Sequence, residues 1–338
     1  MKKSDIVQIL LRDHQQTSYA QESASSFAPT NIALCKYWGK RNTELNLPLT
    51  SSLSIALPDK GAAVTLTLRD AAEDLIYLNG KALAADSVFV TRLGEFLDLF
   101  RKLFRKPQNT RLQIDINMNI PVAAGLASSA CGFASIVLAL NQLFGWQLAK
   151  RELSILARLG SGSASRSLWN GFVEWHAGVS ADGMDSYAES LNIAWPALCV
   201  GILSITTAEK PISSRAAMQR TVETSALYKV WPEKVARDMA LLKQALAEKN
   251  FSLLGSTAES NAINMHATML SASPPVCYFL PETIAAMHKV WKLREQGLEV
   301  YFTQDAGPNV KLLFLERDKD KVQEQFDGVD VILTDEKN

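Results

Sequence analysis

Residues 111–120, RLQIDINMNI, alternate apolar and polar side chains, and they run directly into PVAAGLASSACGF at 121–133. Alternation with a period of two marks a half-buried strand. Beyond the small-residue stretch, out to Leu143, the chain is apolar enough for a buried helix. Gly125, Ala127, Ser128 and Ser129 form the turn between the two. A strand that enters an apolar helix through so small a turn stacks that helix against its sheet, so the chain folds as layers of mixed α and β structure.

The same mixture recurs on both sides. LSIAL (53–57) and AAVTLTL (62–68) read as strands, and Asn79-Gly80 is a strong hairpin signal. Helical spacing covers 92–104, through Leu93, Phe96, Leu97, Phe100, Leu103 and Phe104, and a further helix is expected at 150–159. A buried strand follows at 195–206, then helices at 232–249 and 282–296, each with Pro near its start, and strands at EVYFT and VKLLFLE. Residues 1–27 read as an extension: Ser4-Asp5 can cap a short helix through Ile6, Ile9 and Leu10, and the polar QQTSYAQESASS after it is expected to be loosely held. The expected organisation is α+β in two units, residues 28–195 and 196–338, behind an extension at 1–27.

A chain of 338 residues is too long for one small core and suits about two domains. Lys+Arg and Asp+Glu are equal at 35 each, which argues against a nucleic-acid surface but leaves room for a local basic pocket. Cys35, Cys131, Cys199 and Cys277 are far apart, so no zinc knuckle or redox pair is expected, and the lack of a signal peptide fits a reducing cytoplasm. The nearly apolar run at 193–205 contains Pro196 and is shorter than the roughly 20 residues of a spanning helix. No membrane association is expected. The four histidines show no metal-ligand spacing and read as structural or surface residues.

Four stretches carry candidate chemistry. The turn at 121–133 offers free N–H groups at a helix start, with hydroxyls from Ser128 and Ser129, which suits an anion; it also reads as a tight helix–sheet packing turn. It is not the phosphate loop that ends in Gly-Lys, because no Lys follows the glycine. In 28–57, Lys36, Lys40 and Arg41 cluster with Tyr37 and Trp38, either as a ligand-facing ammonium and phenol or as a solvated basic turn. In 160–178, Ser161, Gly162 and Ser163 precede Arg166, whose guanidinium can grip a phosphate; a flexible Gly/Ser turn is the plainer reading. In 211–219, Ser213, Ser214 and Arg215 repeat the hydroxyl-plus-guanidinium theme. Together they imply two anion sites, one for a nucleotide triphosphate on Ser128-Ser129 and one for a second phosphorylated substrate among Lys40, Ser161, Ser163, Arg166 and Arg215.

In this order, APTNIALCKYWGKR, LPLTSSLSIAL, PVAAGLASSACGF, GSGSASRSLWNGFVEW, SSRAAMQRTVETS and DAGPN resemble the diphosphomevalonate decarboxylase family of the GHMP kinase superfamily. The resemblance runs from Ala28 to Asn309. It implies a two-domain GHMP kinase fold, with a ribosomal S5 domain 2-like N-terminal half and a ferredoxin-like C-terminal half, and an active site in the cleft between them. It implies use of ATP and Mg²⁺, with no metal ligands assigned, conversion of (R)-5-diphosphomevalonate to isopentenyl diphosphate, CO₂, ADP and phosphate, and a homodimer.

By position, Gly125, Leu126, Ala127, Ser128, Ser129 and Ala130 match the family's ATP loop. Tyr37, Trp38, Gly39 and Lys40 match the substrate-lining segment. Ser161, Gly162, Ser163, Ala164, Ser165 and Arg166 match the loop that holds the substrate's phosphates and carboxylate. Ser214 matches a serine near the terminal phosphate of ATP, and Arg215 an arginine on the substrate diphosphate; Met218 on the same stretch goes with the substrate. Asn31 matches an asparagine that orients Arg166, Arg92 a further substrate-contacting arginine, and Asp305 the catalytic aspartate. Thr50, Val122 and Ala217 depart from residues common in the family, and none of these changes removes a charged group.

DAGPN poses its own problem, since a carboxylate at the head of a phosphate-type loop repels phosphate. The C3 hydroxyl of the implied substrate resolves it: Asp305 can accept that proton or orient the hydroxyl. The alternatives are a phosphomevalonate decarboxylase, a mevalonate 3-kinase that stops after phosphorylation, and a non-catalytic nucleotide- or RNA-binding protein. Retention of Asp305, Arg166 and Arg215 argues against the kinase.

Overall fold

The computed structural model describes residues 1–14, 21–101, 110–120, 128–208 and 210–334. The first half comprises α1 (Lys3–Leu10), β1 (Ser23–Cys35), β2 (Lys40–Asn42), β3 (Leu47–Pro48), β4 (Ser52–Asp70), β5 (Leu75–Leu78), β6 (Lys81–Ala82) and α2 (Val88–Arg101). It continues with β7 (Thr110–Met118), α3 (Ser128–Phe144), α4 (Lys150–Gly160), β8 (Phe172–Trp175) and β9 (Ala188–Ser190). The second half holds β10 (Leu198–Leu203), α5 (Ser214–Thr224), α6 (Trp231–Glu248), α7 (Phe251–Leu270) and α8 (Pro281–Glu295). It closes with β11 (Val300–Gln304), β12 (Val310–Leu315), α9 (Lys319–Gln325) and β13 (Asp330–Leu333).

The first sheet is organised on β4, which pairs along one edge with β1 and along the other with β7 and then β8. The two strands expected at 53–57 and 62–68 are therefore one. Its register with β1 slips where Pro29 faces Gly61 and Thr30 faces Leu57, the signature of a bulge. Gly61 permits the slip, because a Cβ there would lie 2.1 Å from the Ala28 carbonyl oxygen. At the far edge, Asn79 and Gly80 have φ of 49° and 75° and close the β5–β6 hairpin; both positive values belong to the turn type that Asn-Gly favours.

Helix α3 is buried on almost every face, from Ala130 and Cys131 to Leu143 and Phe144, and packs on β1 and β4. Helix α1 joins this core. It starts two residues before Asp5, whose Oδ2 accepts from the Lys2 backbone N–H at 2.8 Å. Leu11, not Ile9, completes its apolar face with Ile6, Val7 and Leu10. Of the polar stretch expected to be loosely held, residues 15–20 lie outside the described residues, and Ser23–Ser26 are paired in β1.

The second sheet is antiparallel in the order β11-β12-β10-β13. Helices α6, α7 and α8 belong to this half, with α7 and α8 against β11. A further core joins the halves, bringing Ile32, Leu34 and Trp38 together with Trp231, Leu242 and Leu254. The cleft described next opens beside this shared core.

Candidate active site

Strand β1 runs out at Cys35 and delivers Lys36, Tyr37 and Trp38 to the junction of the halves. The second half pins this segment. The Lys36 backbone N–H donates to Asn261 Oδ1 at 2.8 Å, and the Trp38 carbonyl accepts from Tyr228 Oη at 2.9 Å and Trp231 Nε1 at 3.0 Å. Gly39 follows with φ of 112°, and a Cβ there would run into Tyr228 Oη. Only glycine meets both conditions.

The cleft has a volume of about 500 Å³. From the first half it is lined by Asn31, Tyr37, Trp38, Lys40 and Arg92, by Ser128 and Ser129, and by Ser161, Gly162, Ser163 and Arg166. From the second half come Ser214, Arg215, Met218 and Asp305. Sequence segments more than 250 residues apart thus meet in one place. Four expected residues stand behind the lining: Gly39, Ala130, Ala164 and Ser165. Ala164 is fully buried, and Ser165 Oγ donates to the Gly162 carbonyl at 2.7 Å. Gly125, Leu126 and Ala127 lie outside the described residues.

Asp305 sits at the head of the loop between β11 and β12. Its Oδ1 accepts from Lys36 Nζ at 2.8 Å, and Lys311 Nζ lies 3.7 Å from Oδ2. Both lysines are almost fully buried, and Asp305 is the partly open member of the trio. Burial pushes the Asp305 carboxyl upward. The Lys36 and Lys311 charges, the Lys36 hydrogen bond and the Arg166 charge outweigh it, so the group sits below the usual carboxylate range. Burial lowers Lys311 to about 8, with Asp305 opposing the fall. Asp305 is therefore an ionised acceptor at neutral pH and lines the cleft; its Oδ2 is buried, with the Lys311 ammonium as its charged neighbour.

Arg166 is 3% exposed. Asn31 Oδ1 accepts from its Nε at 3.2 Å and its Nη2 at 3.1 Å, and Ser52 Oγ accepts from Nη1 at 2.6 Å. Asn31 is itself fixed, since its Nδ2 donates to Ser167 Oγ at 2.8 Å. Burial brings the guanidinium down to about 10, with Asp305 pulling against it, so it stays cationic at neutral pH. Beside it, Tyr37 Oη is buried without a hydrogen-bond partner. Burial raises the phenol, which therefore stays neutral and can donate. The Ser129, Ser161 and Ser163 hydroxyls continue the wall at 3.3 and 3.4 Å from one another.

Three lining residues, Lys36, Asn46 and Lys210, and the buried His266 behind them went unassigned from sequence. Lys36 was visible in the KYWGKR cluster, but linear spacing does not distinguish a buried ammonium from a solvated one. Lys210 donates to Ser214 Oγ at 2.6 Å and to the Ala306 carbonyl at 2.9 Å, so it ties the start of α5 to the Asp305 loop. A lysine just before PISS was the available signal. Asn46 accepts from Lys40 Nζ at 2.7 Å. His266 Nε2 lies 3.1 Å from the Asp305 carbonyl oxygen. Burial lowers its imidazole to about 3, so it is neutral and acts as a donor there.

A deep polyanion-ready cleft between an S5-like half and a second α+β half defines a GHMP-type phosphotransfer fold. Residues 28–188 match the family described as Diphosphomevalonate decarboxylase-like N-terminal domain, and residues 200–335 match Mevalonate 5-diphosphate decarboxylase C-terminal domain. The chain belongs to the diphosphomevalonate decarboxylase family. It is 38% identical to the Bos taurus diphosphomevalonate decarboxylase over 86% of this chain and 76% of that one. It is 35% identical to the Saccharomyces cerevisiae protein of the same name over 89% and 80%. Among solved structures it is similar to mevalonate diphosphate decarboxylase from Staphylococcus aureus, with TM-score 0.86, 35% identity and coverage of 92% and 95%. It is also similar to a structure described as MDDEF in complex with MVAPP, AMPPCP and magnesium, with TM-score 0.83, 38% identity and coverage of 92% and 96%.

Proposed function

We propose that this cleft binds both substrates of the reaction and that Asp305 acts on the C3 hydroxyl between them. The chain catalyses the ATP-dependent decarboxylation of (R)-5-diphosphomevalonate to isopentenyl diphosphate, CO₂, ADP and phosphate in the mevalonate pathway. The single observation that carries the residue assignment is the pair of ammonium groups on Asp305, which keep its carboxylate charged beside an open space.

The C3 hydroxyl oxygen attacks the γ-phosphorus of ATP, the bond to ADP breaks, and Asp305 takes the hydroxyl proton. The C3–O bond then breaks, and phosphate leaves with its electron pair. The electrons of the bond to the carboxylate form the alkene as CO₂ departs. Asp305 carries negative charge beside the carbon that becomes cationic, and a positioned base contributes about 10²–10⁴ in rate. Positioning and electrostatics supply the rest.

Arg166, oriented by Asn31, holds the substrate carboxylate, with Ser161 and Ser163 on the phosphate side. Tyr37, Trp38, Lys40, Arg92, Arg215 and Met218 take the diphosphate end. Ser128, Ser129, Ser214 and Lys210 face the ATP phosphates. These hydroxyls and cations fit a triphosphate. Among the described residues no group of three or more His, Cys, Asp or Glu is placed to hold a metal ion. Asp305, a carboxylate of the cleft lining, would be available to Mg²⁺ held otherwise by nucleotide phosphates and water. When bound there, Mg²⁺ neutralises charge on the phosphates during transfer.

The working units in this reading are residues 28–195 and 196–338, a division supported by the ends of the two sheets at Ser190 and Leu198. The enzyme is placed in the cytoplasm as a homodimer. Four free cysteines support the reducing compartment, and the family resemblance supports the dimer, which sedimentation tests. No described helix is long and apolar enough to cross a membrane. A coupled assay of ADP and CO₂ with mevalonate, its 5-phosphate and its 5-diphosphate tests the substrate assignment: CO₂ release that prefers the diphosphate upholds it, and a preference for either other substrate contradicts it.

A further inference from the structure

The turn between β2 and β3 carries a polar side chain that is buried almost completely. Asn46 is 2% exposed and sits between Leu45 and Leu47, both fully buried. Its φ of 52° is left-handed, a conformation that asparagine takes more readily than most residues. Its Nδ2 donates to the carbonyls of Arg158 at 2.9 Å and Leu159 at 3.1 Å, in the last turn of α4. A helix end leaves such carbonyls without an intrahelical partner. The helix end holds the turn in return, because Arg158 Nε donates to the Leu45 carbonyl at 3.2 Å. Ser161, Gly162 and Ser163 of the cleft wall follow α4 directly.

The other end of the amide meets a cation of the cleft. Asn46 Oδ1 accepts from Lys40 Nζ at 2.7 Å, and both residues line the cleft. Among the described residues no carboxylate pairs with this ammonium. An amide oxygen is neutral, so it orients the ammonium and leaves the charge to an incoming anion. A lysine stem is flexible. A fixed acceptor removes rotamer freedom that ligand binding would otherwise have to restrict.

We propose that Asn46 is a positioning residue for substrate binding: anchored on the end of α4, it holds the Lys40 ammonium in a fixed place beside the loop at 161–163, set to receive the diphosphate end. Asn46 acts through Lys40. The inference rests on the reading of the cleft as the diphosphomevalonate site.

Calorimetric titration of the nucleotide-free enzyme with diphosphomevalonate tests it in Asn46→Gly, Lys40→Met and the double variant. Glycine keeps the left-handed backbone at 46. Asn46→Gly should raise Kd by about 3- to 10-fold, the effect of one lost hydrogen bond. In the Lys40→Met background the same substitution should change Kd by less than about twofold, because no ammonium is left to aim. Asn46→Asp, of the same shape, should also bind more weakly than wild type, since a carboxylate neutralises the ammonium. Wild-type affinity in Asn46→Gly or in Asn46→Asp overturns the inference. So does an equal loss in the Lys40→Met background, which marks a packing role. Wild-type enzyme that fails to bind diphosphomevalonate overturns the underlying reading instead.

Discussion

Lys36 Nζ stands 2.8 Å from Asp305 Oδ1, a contact between residues 269 positions apart. It links the segment that leaves β1 to the loop between β11 and β12, so joining the two halves and charging the carboxylate are one act. Lys36 also donates to the Ala33 carbonyl at 2.6 Å, which fixes the ammonium from the first-half side. Assembly of the fold therefore sets the ionisation state of the residue proposed to act on the C3 hydroxyl.

The first prediction concerns acid pH. The Asp305 carboxyl is depressed, so its working ionised form is present above the native pKa and is lost as pH falls through it. Lys36 is the foremost of the groups that lower it. Lys36→Met should shift the acid limb of kcat/KM to higher pH. Substrate ionisations are common to both enzymes, so the difference between their profiles reports Asp305. Superimposable acid limbs would argue that Lys36 does not tune the carboxylate.

A second prediction concerns basic pH. Lys40, brought to about 8, is cationic below that value and loses its charge as pH rises through it. The free enzyme should bind the diphosphate less well above about pH 8, seen as a fall in kcat/KM. Lys40→Arg, whose charge persists, should carry this limb to higher pH. An unmoved limb assigns it to another group.

Arg166 and Asn31 form the third test. Asn31→Leu removes the acceptor of two guanidinium hydrogen bonds and leaves a buried cation short of a partner. Stability should fall by about 1–3 kcal/mol, and kcat should drop because the guanidinium loses its aim. Arg166→Ala should lose turnover as well, by loosening the substrate carboxylate. Denaturant melts and single-turnover rates measure the two effects separately; wild-type rates in either variant would remove Arg166 from the mechanism.

Gly162 supplies a steric test. A Cβ there would lie 2.9 Å from the Tyr37 ring and Oη and 3.0 Å from Trp175. Gly162→Ala should displace Tyr37, cost about 1–3 kcal/mol and raise KM for the substrate. Unchanged melting and KM would show that Tyr37 has room to move.

Much of this arrangement was legible in the sequence, for definite reasons. KYWGKR, GSGSASR and DAGPN depend on short-range chemistry, small residues beside charged ones, that linear order preserves. The hairpin at Asn79-Gly80 was likewise local. Around His266 the sequence reads as helical, but α7 received no bounds, because buried polar residues such as Glu259, Asn261 and His266 interrupt its apolar pattern. Strand β4 read as two because the bulge at Gly61 sits between the halves of its alternation. Lys311 was hidden as the one charge in the apolar VKLLFL of β12; a lysine in a strand buried on both faces signals a partner, but the partner, Asp305, is fixed only by the return of the chain from β11.

The most direct measurement of the central claim is ADP and CO₂ release from diphosphomevalonate by wild type and Asp305→Asn, with nucleotide affinity measured alongside. Wild type should release the two products in equal amounts. Asp305→Asn should bind ATP nearly as well and turn over more slowly by at least about 10²-fold. Near-normal turnover in Asp305→Asn, or ADP formed by wild type without CO₂, would contradict the account.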